Sequence, residues 1–227
     1  MRAVTGWPAP RPDGVTEEEY ALTFDGKRET RLLVVPALFD EANKLRHLAV
    51  EAMFRLDRSG IDSFLIDLPG CNESTAPLAE QTLDGWRRAA SAAAAHFRAT
   101  HVLSVRAGAL VVPADLPGWR YAPVRGRNQL RAMIRARTIA AQENGRAETA
   151  ADIQAAGLAE GIELAGWQIG PRMFADLLEA EPVPSDLQRD IAQEDVGGGG
   201  LWLRAEPDHD PEQADAIAAT IAMEQAA

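Results

Sequence analysis

A chain of 227 residues, 46% apolar and 25% charged, is long enough for one large domain or two small ones and can build a core. Asp and Glu number 34 against 23 Lys and Arg, and the resulting net charge of -11 excludes general nucleic-acid binding, which needs a basic face. One cysteine excludes a disulfide framework and a Cys-based zinc site.

No run approaches the roughly 18 apolar residues of a membrane span. Residues 1–18 lack the apolar centre of a signal peptide and read as an irregular tail. The expectation is a cytoplasmic protein without cofactor or metal.

Glu19 to Phe24 alternates as a half-buried strand, and Asp25-Gly26 supplies a turn. The apolar run 31–35 reads as a strand buried on both faces. After the loop PALFDEAN, Leu45, Leu48, Ala49, Ala52, Met53 and Leu56 mark one face of a helix that ends at Ser59-Gly60. IDSFLIDL is a second buried strand, followed by Pro69-Gly70 and the loop CNEST. Leu83, Trp86, Ala90, Ala93 and Phe97 place a helix over 81–98, and HVLSV at 101–105 is a third strand. This succession favours a parallel sheet with right-handed crossovers.

WRYAPV suggests another strand. Residues 126–166 then become helical and polar, with Leu130, Met133 and Ile134 facing inward and Arg127, Arg131 and Arg135 on a neighbouring face. IELAGWQI reads as one strand, and Met173, Phe174, Leu177 and Leu178 belong to a further helix. No convincing strand with an acidic triad residue stands between Pro184 and Val196, which speaks against a complete catalytic triad. Four glycines at 197–200 precede LWLRA, read as the last strand. Asp210-Pro211-Glu212-Gln213 has the form of a helix start, and Ala214, Ile217, Ala218 and Ile221 form the apolar stripe of that helix. The division expected is a tail at 1–18, an α/β core at 19–124, a helical cap insertion at 125–180 and a C-terminal completion of the core at 181–227.

Parallel sheets bind ligands beyond the carboxyl ends of their strands. There Ser104-Val105-Arg106-Ala107-Gly108 runs from strand into a bend and then into small residues. This is the setting of the nucleophile elbow G-x-S-x-G, with Arg106 at the apex. A guanidinium stays protonated and cannot attack a carbonyl, so elbow chemistry cannot run through residue 106. Two readings stay open. With Ala107, at a helix N-terminus, Arg106 can hold a carboxylate or phosphate. Or it pairs with a nearby acid such as Glu41, Asp40 or Asp67.

Ser104 lies on the strand and Cys71 at the crevice mouth. Either could replace the missing nucleophile, or each packs as a small buried group. His209 follows the expected last strand as a candidate base flanked by Asp208 and Asp210, or else Asp-His-Asp is a solvated helix cap. Leu38 and Phe39 are the candidate oxyanion-hole donors by position, and Asn43 can cap the following helix. His47, His96 and His101 lack ligand-like spacing. Asp67, Gly70 and Ser74 follow a D-x-x-G-x-x-x-S loop pattern that marks a fold. Six arginines and no acid fall between Arg120 and Arg137. They form a solvated face, or they meet an acidic partner, an acidic part of the same fold or an anionic ligand such as a phosphorylated or acidic saccharide. Trp119 and Trp167 serve core packing or a flat surface for a sugar or protein.

The segments LLVVPALFDEANKLR, FLIDLPGCNES, LSVRAGAL and VRGRNQLRAMIRART, in that order, resemble the exosortase A system-associated hydrolases of the second type. The resemblance covers about residues 30 to 180. It implies an α/β fold with a doubly wound, mostly parallel sheet of the α/β-hydrolase type, a helical cap insertion and a reduced C-terminal part. It also implies a bacterial setting of exosortase-dependent sorting and exopolysaccharide production. The function expected is a pseudoenzyme that binds an anionic small molecule or protein partner. The alternative is an active hydrolase or acyl transferase using a non-elbow nucleophile with His209.

Overall fold

The computed structural model describes residues 2–11 and 14–225. Its strands are β1 (Arg2–Pro10), β2 (Thr16–Phe24), β3 (Arg31–Val35), β4 (Asp62–Ile66), β5 (His101–Val105), β6 (Gly118–Tyr121), β7 (Ile162–Leu164), β8 (Trp167–Ile169) and β9 (Gln188–Ile191). Its helices are α1 (Asp40–Arg58), α2 (Leu83–His96), α3 (Gly126–Glu143), α4 (Ala150–Ala159), α5 (Pro171–Glu179), α6 (Gln193–Val196) and α7 (Pro211–Gln225). Seven strands form one sheet in the order β1-β2-β4-β3-β5-β6-β9. The pairs β1–β2 and β2–β4 are antiparallel, and every other pair is parallel.

The sheet is covered on both faces, and the alternation of side chains along β3 shows how. Leu33 and Val35 join α2 and the helices α3 to α5 in one core, whereas Leu32 and Val34 join α1 and α7 in the other. A strand with no solvent face reads as a continuous apolar run, which is why RLLVV was legible.

Three expectations need correction. Residues 2–10 are not an irregular tail but the edge strand β1, paired with β2 along its whole length, with Trp7 and Ala9 buried. Gly6, Pro8 and Pro10 give a poor strand signal, yet an edge strand tolerates proline because one side of it needs no donors. Met1, Pro12 and Asp13 of that stretch lie outside the described residues, as do Ala226 and Ala227 of the C-terminal segment. IELAGWQI is a hairpin rather than one strand. Ala165 and Gly166, with φ of 51° and 81°, make the two-residue turn between β7 and β8. The last strand is β9, within the stretch 184–196 where none was expected, and LWLRA is instead a 3-10 turn over Leu201–Leu203.

QRDI escapes notice because only Gln188 and Ile191 are buried in this edge strand. Gly197 and Gly198, at φ of 81° and 65°, turn the chain away from the sheet edge. Leu201 then packs into the core beside α1 and α7 instead of extending the sheet.

Candidate functional site

β5 delivers Arg106 to the carboxyl end of the sheet, and the chain bends there: Arg106 has φ of 52°. The small residues that follow are required by space. A Cβ on Gly108 would stand 2.4 Å from the Pro36 carbonyl oxygen. The helix expected after the bend is only a 3-10 turn over Arg106–Leu110, before a segment carrying Pro113 and Pro117. So short a run has little dipole to offer an anion, and Ala107 is fully buried within it.

The Arg106 side chain is enclosed. Its Nε and Nη2 donate to the two Glu41 carboxylate oxygens at 3.0 and 3.2 Å, and Nη1 donates to the Ala122 carbonyl at 2.8 Å. The Trp202 indole covers its face, with the guanidinium carbon 3.9 Å from the ring centroid. Side-chain exposure is 12% for Arg106 and 7% for Glu41. Burial pushes the Glu41 carboxyl above the ordinary glutamate value, although the bonds from Arg106 pull the other way. Of the two readings of Arg106, the geometry takes pairing with an acid, and the acid is Glu41. The bidentate bond and the stacked ring are interactions suited to arginine's planar fork.

Leu38 and Phe39 sit at the neighbouring loop with their side chains buried in the core. Phe39 is buried at φ of 56°, its ring 5.6 Å from Trp86 and 6.1 Å from Trp167. Its ring belongs to the core shared with α2 and with α3 to α5. Gln129 of α3 ties this loop down, its Nε2 donating to the Leu38 carbonyl at 3.4 Å and to Asp40 at 3.2 Å. Asn43 does not cap α1. It lies exposed within the first turn, and Phe39 occupies the cap position without a side-chain bond.

The proposed nucleophiles and base are not brought together. Ser104 is fully buried, and its hydroxyl has no hydrogen-bond partner. The Cys71 thiol is pushed up to about 12 by burial first and then by the charges of Asp67 and Glu19, which holds it as an inert thiol. It borders a crevice of about 20 Å³, little more than one water molecule needs. His209 is exposed and stacks on His47 of α1 at 4.3 Å between ring centroids. Asp210 does cap α7, accepting from the Glu212 and Gln213 backbone N–H groups. Among the described residues no hydrogen bond joins His209 to Ser104 or Cys71, and no group of three or more His, Cys, Asp or Glu could hold a metal ion.

The remaining motif is structural. Gly70, at φ of 84°, donates its N–H to the Ser74 hydroxyl, which donates to Glu19, while Asp67 accepts from Arg46 and Asn72. Trp119 is buried and donates to Glu224 at 2.7 Å, and Trp167 packs half-buried against Phe39. Sequence reasoning missed Trp202 because LWLRA resembles a strand. It missed Ala122 because a backbone carbonyl leaves no mark on residue type.

No protein-family model and no curated protein matches the chain. Solved structures do. Est1E from Butyrivibrio proteoclasticus, solved with ferulic acid bound, aligns at TM-score 0.58 and 12% identity over 92% of this chain and 96% of that one. DcsB, solved with a substrate analogue, aligns at 0.56 and 10% over 99% and 100%. A protein of Agrobacterium vitis S4, provisionally named a hydrolase, aligns at 0.55 and 15% over 97% and 99%. At such identities the likeness speaks for the fold alone. A mostly parallel, doubly covered sheet with a bend after β5 and helices inserted between β6 and β9 agrees with it, and the chain therefore has the α/β-hydrolase fold.

Proposed function

We propose that this protein is a catalytically silent carrier of the α/β-hydrolase fold that acts by binding an anionic ligand or an acidic partner. Its setting would be the cytoplasm of a bacterium, in a pathway of exosortase-dependent sorting or exopolysaccharide production. The observation that carries the catalytic silence is the Arg106–Glu41 pair at the bend, and the exposed Arg131 and Arg135 of α3 support the binding. The position where acyl transfer needs an activated oxygen holds a guanidinium bonded to a buried carboxylate. Phe39 beside it is a buried core residue, and the base candidate His209 stands on the surface. The pathway rests on the four resembling segments, not on the geometry.

Incubation with a fluorophosphonate probe and with short-chain and long-chain nitrophenyl esters tests the silence. No labelling above a heat-denatured control and no turnover are expected. Stoichiometric labelling, or turnover that disappears in His209→Ala, would restore the enzymatic reading.

A further inference from the structure

Of the six arginines in the 120–137 stretch, four have carboxylate partners: Arg120 with Asp190, Arg125 with Glu181, Arg127 with Glu179 and Arg137 with Glu148. Arg131 and Arg135 are exposed and make no ion pair among the described residues. The Arg127 pair is loose, 3.6 Å between two exposed side chains. Arg127, Arg131 and Arg135 thus form a row along α3, about 6 Å apart along the axis. Like charges four residues apart repel, so the row costs the isolated helix stability. Neighbouring acids relieve it only in part: Glu148 is taken by Arg137 and Asp152 by the Thr149 cap of α4, and Glu179 reaches the row through its loose pair with Arg127.

Beside Arg127 and Arg131, the first two arginines of the row, runs an open groove of about 560 Å³. Its floor is aliphatic, made by Leu130 and Ile134 of α3, Leu178 of α5, and Ala150 and Ala151 of α4. Gln154 and Glu179 complete its lining, and among the described residues it carries no aromatic ring on which a sugar or a base could stack. Small residues on α4 allow close approach of another backbone.

We infer that this groove is the docking site for an acidic amphipathic helix of a partner protein, with carboxylates four residues apart set against Arg127, Arg131 and Arg135 and aliphatic side chains on the floor. Helix-in-groove recognition combines these two elements. The inference deepens the binding function proposed above and rests on it. The Arg106–Glu41 bend takes no part in the docking.

The test is fluorescence anisotropy of the full chain with a labelled synthetic helix that carries glutamates at three positions four apart beside a row of leucines. Saturable binding that weakens with salt is expected. It should fall about ten-fold or more in Arg131→Glu/Arg135→Glu and with a glutamine-for-glutamate peptide. A lysine-bearing peptide should bind that variant and not the wild type. Circular dichroism and thermal melting verify that the variant folds, which its exposed, unpaired positions favour.

Equal binding to wild type and variant, or no binding to the wild type, would overturn the inference. So would heparin binding as tightly as the peptide, which would mark a polyanion site, or self-association abolished by the same variant, which would make a second copy the occupant. None of these results bears on labelling or turnover, so the two proposals fail separately.

Discussion

The Arg106 guanidinium and the Glu41 carboxylate are both nearly removed from water, and charges so placed are stable only together. Arg106→Ala should destabilise the protein by about 3–5 kcal/mol at neutral pH, because it strands a buried carboxylate. Burial raises the Glu41 carboxyl, so the stranded group takes up a proton more readily and the loss should shrink on acidification. Replacing both, Arg106→Met with Glu41→Leu, should be close to neutral or stabilising. Urea unfolding at neutral and acidic pH measures all three effects, and a single variant as stable as wild type would show the pair to be dispensable. At this scale the sequence already stated the chemistry: a guanidinium at the apex, no nucleophile, and three candidate acids. Choosing Glu41 among them required knowing that the first turn of α1 passes over the bend. That turn is in contact with residue 106 although 65 positions separate them.

Among the elements, those with strong periodic signals and two buried neighbours were legible: β3, β4, β5, α1, α2 and α7. The edge strands β1 and β9 were not, because half of an edge strand answers to solvent and its residue pattern is loose. The 3-10 turn at Leu201–Leu203 has the residues of a strand but no sheet edge to join, since four glycines redirect it. The close approach of the bend to β3 gives a direct check. Gly108→Ala would drive a methyl group to 2.4 Å from the Pro36 carbonyl and 2.9 Å from that of Val35, both backbone atoms that cannot swing aside. A loss of about 1–3 kcal/mol or more is expected from such overpacking. Denaturant midpoints unchanged in this variant would mean that the bend is looser than the geometry describes.

For the whole molecule, stability has a characteristic pH dependence set by opposed carboxylates. Glu19 is buried, and burial raises its carboxyl above the ordinary glutamate value. The native state therefore keeps this proton to higher pH than the unfolded chain does. Its contribution is full below the unfolded value and is lost as pH rises through the raised one. Asp25 acts oppositely. The bond from Arg31 lowers it to about 2, so its contribution is present above the ordinary aspartate value and is lost as pH falls towards that number. Glu19→Gln should make the decline in stability as pH rises from the ordinary glutamate value towards neutrality shallower and leave the acid limb in place. Melting curves across that range decide it, and a parallel decline in both proteins would remove Glu19 from the explanation.

Chain composition, apolar periodicity and the small residues after β5 were enough to determine a doubly covered, mostly parallel sheet and a bend without a nucleophile. These are local properties: a strand buried on both faces or a helix with one buried face must carry its pattern in consecutive residues. The partner of Arg106, the surface position of His209 and the packing of Phe39 between Trp86 and Trp167 were decided only by the tertiary structure. Each depends on which distant segments meet, and contact between segments is set by packing of the whole chain rather than by the residues on either side.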